Sequence, residues 1–259
     1  MRKQSSENVN YINRAKVAFT LAETLITLGI IGIVAAITIP ALIQNFQDHS
    51  TLAQLKKTYS LLSSAYSRAV EVSGNTPQAW FPTSDNSQTM INMIKPHLNI
   101  IKDCNASGSG QGCFKAGEYY KLINGFNYGI LDNGGHSIVL ADGTIILAEL
   151  YWPACNQVRG SSLSLRNTCG SYIVDLNGIK GPNTVGKDAF WFWLTKYGIV
   201  PMGDKNASVW SFNSGCINTS GDYIFGYSCT AWAVYNQNLD YLHCPMTLKN
   251  GWTGPMKCN

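Results

Sequence analysis

The candidate metal ligands of this sequence lie in one glycine-rich turn. Asp175, Asn177 and Gly178 are followed by Asp188, and Ca²⁺ prefers carboxylate and amide oxygens held on turns of this kind. The segment lacks the spacing and the terminal Glu of an EF-hand loop. The interpretation that we favour is a turn in which Asp and Asn side chains accept hydrogen bonds from nearby backbone N–H groups. Calcium bound by Asp175, Asn177 and Asp188 is the alternative, and we expect no other cofactor.

The eight cysteines are a second group that could perform chemistry, and all of them lie beyond residue 100. Their number is even and no CxxC pair of the kind that binds zinc occurs. Disulfide bonds made outside the cytoplasm are therefore the better interpretation. Eight cysteines allow on the order of a hundred pairings. We expect four sequential bridges, which are Cys104–Cys113, Cys155–Cys169, Cys216–Cys229 and Cys244–Cys258.

No sequence pattern typical of an enzyme appears in the chain. The four His residues form no HExxH pattern, and neither a GxSxG turn nor a phosphate-binding Walker loop occurs. The formal net charge is +4, but residues 1–18 carry four basic residues and one Glu, so the side chains beyond them carry about +1. No basic cluster indicates a nucleic-acid site. We expect neither catalysis nor nucleic-acid binding.

The longest apolar stretch lies near the N-terminus, far from these residues. Between Glu23 and Asp48 the chain contains no Asp, Glu, Lys or Arg. A helix over this interval is about 36 Å long, enough to cross a hydrocarbon core of about 30 Å. Basic residues precede the stretch, which predicts a cytoplasmic N-terminus and an extracytoplasmic remainder. These basic residues are Arg2, Lys3, Arg14 and Lys16.

Glu23 lies at the start of this stretch, where a carboxylate is costly and usually marks function. If the chain were cut after Ala18, the new ammonium group of Phe19 would lie one helical turn from Glu23. That ammonium, on the same subunit or on a neighbour, could neutralise the carboxylate in lipid. In the alternative, the stretch is a plain membrane anchor and the Glu23 side chain reaches back to the interface.

The segment FTLAETLITLGIIGIVAAITIP, preceded by Ala18, resembles the class III leader and N-terminal helix of type IV pilins and pseudopilins. In that family a prepilin peptidase cuts before Phe and methylates the new amine. The resemblance therefore makes Phe19 the methylated N-terminus of the mature chain. It also implies that Glu23 and Gly32 act in subunit assembly and that Pro40 kinks the helix. The departure is Ala18, because the family usually has Gly at this position.

A conventional secretory signal is the alternative interpretation of the same segment. The small residues at positions 34–36 could form its cleavage site, and Ile37 would then be the first mature residue. Two features favour the pilin-type leader. Glu23 lies inside the apolar run, and the helical pattern continues past Pro40.

Beyond Pro40 the pattern becomes amphipathic, which predicts one helix from about Thr20 to Val72. A short helix and then short β-rich runs follow, among them a hairpin joined at residues 141–143. This order predicts an α+β fold. The resemblance makes the fold pilin-like, with a long kinked helix packed on an antiparallel sheet and a disulfide-rich C-terminal part. We expect a leader (1–18), a transmembrane segment (19–43), an amphipathic half-helix (44–74) and a globular domain (75–259).

The function that the resemblance implies is that of a structural filament subunit. Such a subunit is a pilin, minor pilin or pseudopilin, anchored by one helix in the bacterial inner membrane before it joins a type IV pilus or a type II secretion filament. Its partners would be prepilin peptidase, other pilin subunits and the assembly platform. The alternative is a single-pass, membrane-anchored extracellular binding protein or adhesin that does not polymerise.

Overall fold

The computed structural model describes residues 20–74, 87–105, 108, 110–115, 117–129, 135–181, 183–218 and 223–258. Contacts between residues divide the chain into two compact units, Met1–Phe46 and Gln47–Asn259. Helix α1 (Leu21–Val72) contributes to both units, and its bounds confirm the long helix predicted from the sequence. The first unit holds the first half of α1. The second unit holds the rest of α1 and every described strand.

The first half of α1 is apolar, and its side chains are exposed. The large hydrophobic residues from Leu21 to Phe46 are each at least half exposed. By length and composition this helix could cross a membrane, and none of its most apolar 18-residue window is buried against the rest of the chain. The helix continues through Pro40, although proline removes one backbone hydrogen bond from a helix interior.

The second half of α1 buries one stripe of side chains, spaced three or four residues apart as an amphipathic helix requires. The polar groups beside the stripe hold the helix to the strands. Gln54 Nε2 donates to the Leu176 carbonyl at 2.6 Å, and the Tyr66 hydroxyl donates to the Lys196 carbonyl at 2.8 Å. The buried residues of this half are Leu52, Leu55, Thr58, Leu62, Ala65, Tyr66 and Ala69.

A six-stranded antiparallel sheet forms the centre of the second unit. Its strands are β1 (Ile100–Asp103), β4 (His136–Leu140), β5 (Ile145–Tyr151), β6 (Thr168–Asp175), β7 (Ala189–Thr195) and β8 (Gly198–Pro201), in the order β1-β4-β5-β6-β7-β8. Two small ribbons pair β2 (Tyr120–Lys121) with β3 (Asn127–Gly129) and β9 (Ile217–Asn218) with β10 (Tyr223–Ile224). The shorter helices are α2 (Ser87–Ile94) and α3 (Thr230–Asn236).

The sheet is covered on both faces, but by different kinds of element. Successive side chains of a strand point to opposite faces, and every residue of β6 and β7 is buried. Tyr172 and Phe192 belong to one core cluster, together with buried residues of α1 and α2. Trp191 and Trp193 belong to a second cluster, which contains residues of loops and turns but none of the helices. The apolar runs in these strands therefore reflect burial on two sides.

Four disulfide bonds close local loops in the second unit. They join Cys104 to Cys113, Cys155 to Cys169, Cys216 to Cys229 and Cys244 to Cys258, which are the four sequential pairs expected from the sequence. The hairpin predicted at residues 141–143 is also present, with Gly143 at φ +88° between β4 and β5. A long N-terminal helix packed on an antiparallel sheet is an α+β arrangement, and it fits a pilin-like layout.

Candidate functional site

Glu23 is hydrogen-bonded to Thr20 at the beginning of α1. Its Oε2 accepts from the Thr20 backbone N–H at 2.8 Å and from the Thr20 hydroxyl at 2.9 Å. In return the Glu23 backbone N–H donates to Thr20 Oγ1 at 3.2 Å. This reciprocal pair is a capping box, which satisfies two N–H groups that a helix N-terminus otherwise leaves unpaired. The Thr-x-x-Glu spacing is its sequence signature, but this local role was not among the expectations.

The capping box leaves part of the Glu23 carboxylate unused. A carboxylate offers about four acceptor sites, and both hydrogen bonds from Thr20 go to Oε2. Glu23 Oε1 has no hydrogen bond within the part of the chain that the structure describes. A second donor could therefore bind there without breaking the cap. Ala18 and Phe19, the residues expected on either side of the cleavage, lie outside the described residues.

Gly29 and Gly32 lie in the exposed half of α1. A Cβ added at either position would meet nothing within 4 Å among the described residues. Glycine in a helix interior costs about 1 kcal/mol relative to alanine, and no contact within the described part of the chain compensates for that cost. Small residues on an apolar helix allow a second helix to approach closely. The two glycines therefore suit packing against a helix of another molecule.

The turn after β6 uses the Asp175 carboxylate as a backbone acceptor. Asp175 Oδ1 accepts from the N–H groups of Asn177 at 3.2 Å and Gly178 at 3.0 Å, while Oδ2 accepts from the Tyr120 hydroxyl. Gly178 has φ +61°, a conformation that favours glycine. Asp188 Oδ2 accepts from the backbone N–H of Thr184 at 3.1 Å. This geometry is the hydrogen-bonded turn favoured by the sequence.

Burial also changes the proton affinity of this turn. It raises the pKa of Asp175 to about 7, with a smaller contribution from the charge of Asp188, and it raises the pKa of Asp188 to about 6. Asn177 Oδ1 is buried and has no hydrogen-bond partner among the residues that the structure describes. Within the described residues, no group of three or more His, Cys, Asp or Glu side chains could hold a metal ion. The two carboxylates, as placed, serve the turn and bind protons more tightly than usual.

A cluster of aromatic rings with one arginine lies in the second unit, among the loops that cover the sheet. The Trp193 and Trp210 rings stack with centroids 5.2 Å apart, Trp152 is tilted against Trp193 at 6.3 Å, and Tyr227 meets Trp210 edge-on at 5.9 Å. The guanidinium carbon of Arg159 lies 4.5, 5.1 and 5.7 Å from the ring centroids of Trp152, Trp193 and Trp210. We call these five residues the tryptophan cluster.

The tryptophan cluster was not expected from the sequence. Its members come from one strand and three other segments, so no local spacing relates them. The sequence shows seven Trp residues, but their number does not indicate which rings are in contact in the folded chain.

No family model, curated protein or solved structure matches this chain. Inference about its function therefore rests on the two halves of α1, the sheet domain and the sites described above.

Proposed function

We propose that this protein is a prepilin-like subunit, processed at its N-terminus, that assembles into a filament of the type IV pilus or type II secretion kind. The observation that carries the proposal is the division of α1. Its first half exposes a continuous apolar surface, and its second half packs on a disulfide-bonded antiparallel domain. A helix that exposes this much apolar surface needs lipid or another protein around it.

Before assembly, the first half of α1 would be surrounded by lipid. The helix spans the inner membrane with the basic residues of the leader on the cytoplasmic side, and the second unit lies outside, where its cysteines oxidise. Prepilin peptidase then cuts between Ala18 and Phe19 and methylates the new amine. The Glu23 carboxylate is kept in place by its cap on Thr20.

After assembly, the first half of α1 would be surrounded by the same helix of neighbouring subunits. The exposed Ile, Leu and Val side chains supply the apolar contact, and Gly29 and Gly32 let helices approach closely. The Phe19 ammonium of one subunit pairs with the Glu23 carboxylate of another at the oxygen that the cap leaves unused. Contacts of this head-to-tail kind do not close into a ring and therefore propagate as a filament.

Measuring the mass of the mature N-terminus tests the proposal. Co-expression with an active prepilin peptidase should remove eighteen residues and leave N-methyl-phenylalanine, and an inactive peptidase should leave the full chain. Ala18→Gly should be cut at least as well as the natural sequence, because Gly is the family's usual residue there. A mature chain that starts at Ile37 would show cleavage by a conventional signal peptidase and would overturn the proposal. A full-length chain beside the active peptidase would favour the anchored binding protein that does not polymerise.

A further inference from the structure

Arg159 is a cation without an anionic partner within the described residues. Its guanidinium lies against three tryptophan rings, and the described ion pairs of the chain all involve other residues. Arginine stays charged at any ordinary pH. Burial lowers the pKa of Arg159 below its usual value, which shows that the charge loses solvation at this place. An arginine held in this way has the capacity to bind an anion.

Two N–H donors of the tryptophan cluster also lack acceptors. Arg159 Nε and Trp193 Nε1 are both buried, and neither has a hydrogen-bond partner within the described chain. Buried donors are satisfied in the great majority of cases, because an unsatisfied one loses its hydrogen bonds to water without replacement. Both orphans belong to side chains in contact with each other, since the guanidinium carbon is 5.1 Å from the Trp193 ring centroid. Trp193 is fully buried, whereas Arg159 is partly exposed. A ligand arriving from solvent would therefore bind the terminal nitrogens of the Arg159 guanidinium and not the indole N–H.

The backbone holds this arginine in position from both sides. The Arg159 N–H donates to the Leu165 carbonyl at 2.6 Å, and its own carbonyl accepts from Ser208 at 2.9 Å and Val209 at 3.1 Å. The next residue, Gly160, allows the two loops to touch, because a Cβ there would lie 2.2 Å from the Asn206 carbonyl oxygen. The loop that carries Trp210 is thereby fixed against the loop that carries Arg159.

Trp210 itself has an unusual backbone conformation. Its φ is +52°, in the left-handed region, where a bulky side chain is rare because the conformation is strained. In this conformation the ring stacks on Trp193 at an interplanar angle of 7° and stays partly exposed, as do the rings of Trp152 and Tyr227. The strained backbone of Trp210 therefore places its ring beside the Arg159 guanidinium.

We propose that the tryptophan cluster binds an acidic sugar, with the carboxylate of a uronic acid on the Arg159 guanidinium and the sugar ring on a neighbouring aromatic face. A planar guanidinium matches a carboxylate with two parallel N–H···O bonds. The C–H face of a pyranose ring is flat and apolar and packs on an indole or phenol ring, which combines an apolar face with a polar edge. Few polar groups among aromatic rings are typical of small-molecule sites.

The single cation of this region favours a ligand that brings one carboxylate at a time to the site, rather than a nucleic acid or a phosphorylated peptide. Arg159 is the one cation of the cluster, whereas nucleic-acid surfaces present stripes of several Lys and Arg side chains. Phosphorylated peptides are likewise bound by clusters of arginines. A sugar with one carboxylate per ring needs one guanidinium for each ring bound. The expected ligand is therefore an acidic polysaccharide segment, and binding does not depend on filament assembly.

The test uses the full chain in detergent micelles and titrates it with tetragalacturonate, followed by tryptophan fluorescence. Neutral maltotetraose serves as the control for ring stacking without charge. Arg159→Met removes the guanidinium, and Arg166→Met is the matched control, because Arg166 is exposed in the same loop and its loss changes the net charge equally. Arg159→Lys keeps the charge but not the planar fork.

We expect saturable binding of tetragalacturonate by the natural chain and at least tenfold weaker binding of maltotetraose. Arg159→Met should weaken tetragalacturonate binding by tenfold or more, as the loss of a charged hydrogen-bonded pair implies, while Arg166→Met should change it less than twofold. If Arg159→Met lowers the thermal midpoint, Arg159→Lys decides, with an expected loss of several-fold at an unchanged midpoint. The proposal would be overturned if the natural chain did not bind tetragalacturonate, or if Arg159→Met and Arg166→Met weakened its binding equally. It would also be overturned if Arg159→Lys bound tetragalacturonate as tightly as the natural chain.

Discussion

The two halves of α1 differ in what covers their apolar side chains. In the second half, the stripe from Leu52 to Ala69 is buried by the strands and by α2, and polar ties fix its position. In the first half, the apolar side chains are exposed, and a Cβ added at Gly29 or Gly32 would meet no described residue within 4 Å. One continuous helix therefore has a first half that is exposed and a second half that packs on the sheet domain. The described residues of the second unit account for the burial of the second half, and the proposed membrane and filament surroundings would account for the apolar surface of the first.

The largest expected effect is a difference in stability between substitutions in the two halves of α1. Leu62 is fully buried, whereas Ile31 is 63% exposed. Leu62→Ala should destabilise the second unit by about 2–5 kcal/mol, since it leaves a cavity. Ile31→Ala should change the stability of that unit by less than about 0.5 kcal/mol. Urea unfolding in micelles, followed by tryptophan fluorescence, measures both, and equal losses would remove the distinction between the halves.

The second expected effect is a pH dependence that belongs to the second unit alone. The folded pKa of Asp175 is about 7, above the ordinary value of 3.8. Between these values the folded state holds a proton that the unfolded state has released, so stability should fall as pH rises from about 4 to about 7. One such group contributes at most about 1.4 kcal/mol per pH unit. Urea midpoints at several pH values across this window should show the decline. Asp175→Asn should make it shallower and leave the part between about pH 4 and 6 that Asp188, with a pKa of about 6, contributes.

Asp103 provides the control for this pH dependence. Hydrogen bonds from Lys95, Asn105 and His136 outweigh its burial and lower its pKa to about 2. It therefore stays ionised in both folded and unfolded states across most of the window, so Asp103→Asn should change stability without changing the slope. A slope that is unchanged in Asp175→Asn would show that other groups control the titration.

The smallest expected effect concerns the glycines of the first half. Gly32→Ala should stabilise the isolated helix by about 1 kcal/mol, because the new methyl group meets nothing within 4 Å. If a neighbouring helix packs there, the same change should lower filament yield while membrane level and leader cleavage stay normal. Circular dichroism of the micellar chain and sheared-filament yield give the two readouts. An unchanged filament yield would show that no helix packs closely at Gly32.

Local signals in the sequence predicted the helix and the simplest turns. Apolar spacing predicted both halves of α1, and an Asp-Gly turn between β-rich runs predicted the hairpin at residues 141–143. Strand β1 was missed, because the short edge run Ile-Ile-Lys-Asp does not alternate clearly. Helix α3 has only seven residues, which are too few for periodicity to distinguish a helix from a strand.

The candidate sites also differ in whether their residues are close together in the sequence. The Asp175 turn was recognisable because its partners Asn177 and Gly178 are neighbours in the chain. The tryptophan cluster was not, because pairing of Trp193 with Trp210 depends on how a loop crosses the finished sheet. The Glu23 cap has a local sequence signature, Thr-x-x-Glu. Glu23 was considered from the sequence only as a carboxylate that is costly in an apolar run.

The central claim is that neighbouring subunits complete the first half of α1 and that Glu23 supplies charge there in addition to its cap. Glu23→Gln separates the two roles, because glutamine also closes a capping box but carries no charge. Glu23→Val removes both. Each variant should enter the membrane and be cut like the natural chain, since loss of a charge favours insertion.

The decisive measurement is sheared-filament yield from cells that contain prepilin peptidase and the assembly platform. The natural chain should be recovered in filaments, and Glu23→Gln should reduce the yield as strongly as Glu23→Val. The reason is that an ammonium left unpaired in the filament core costs about 3–5 kcal/mol per subunit. A normal yield from Glu23→Gln, with a loss in Glu23→Val alone, would show that Glu23 acts as a cap and would contradict the pairing of subunits through its charge.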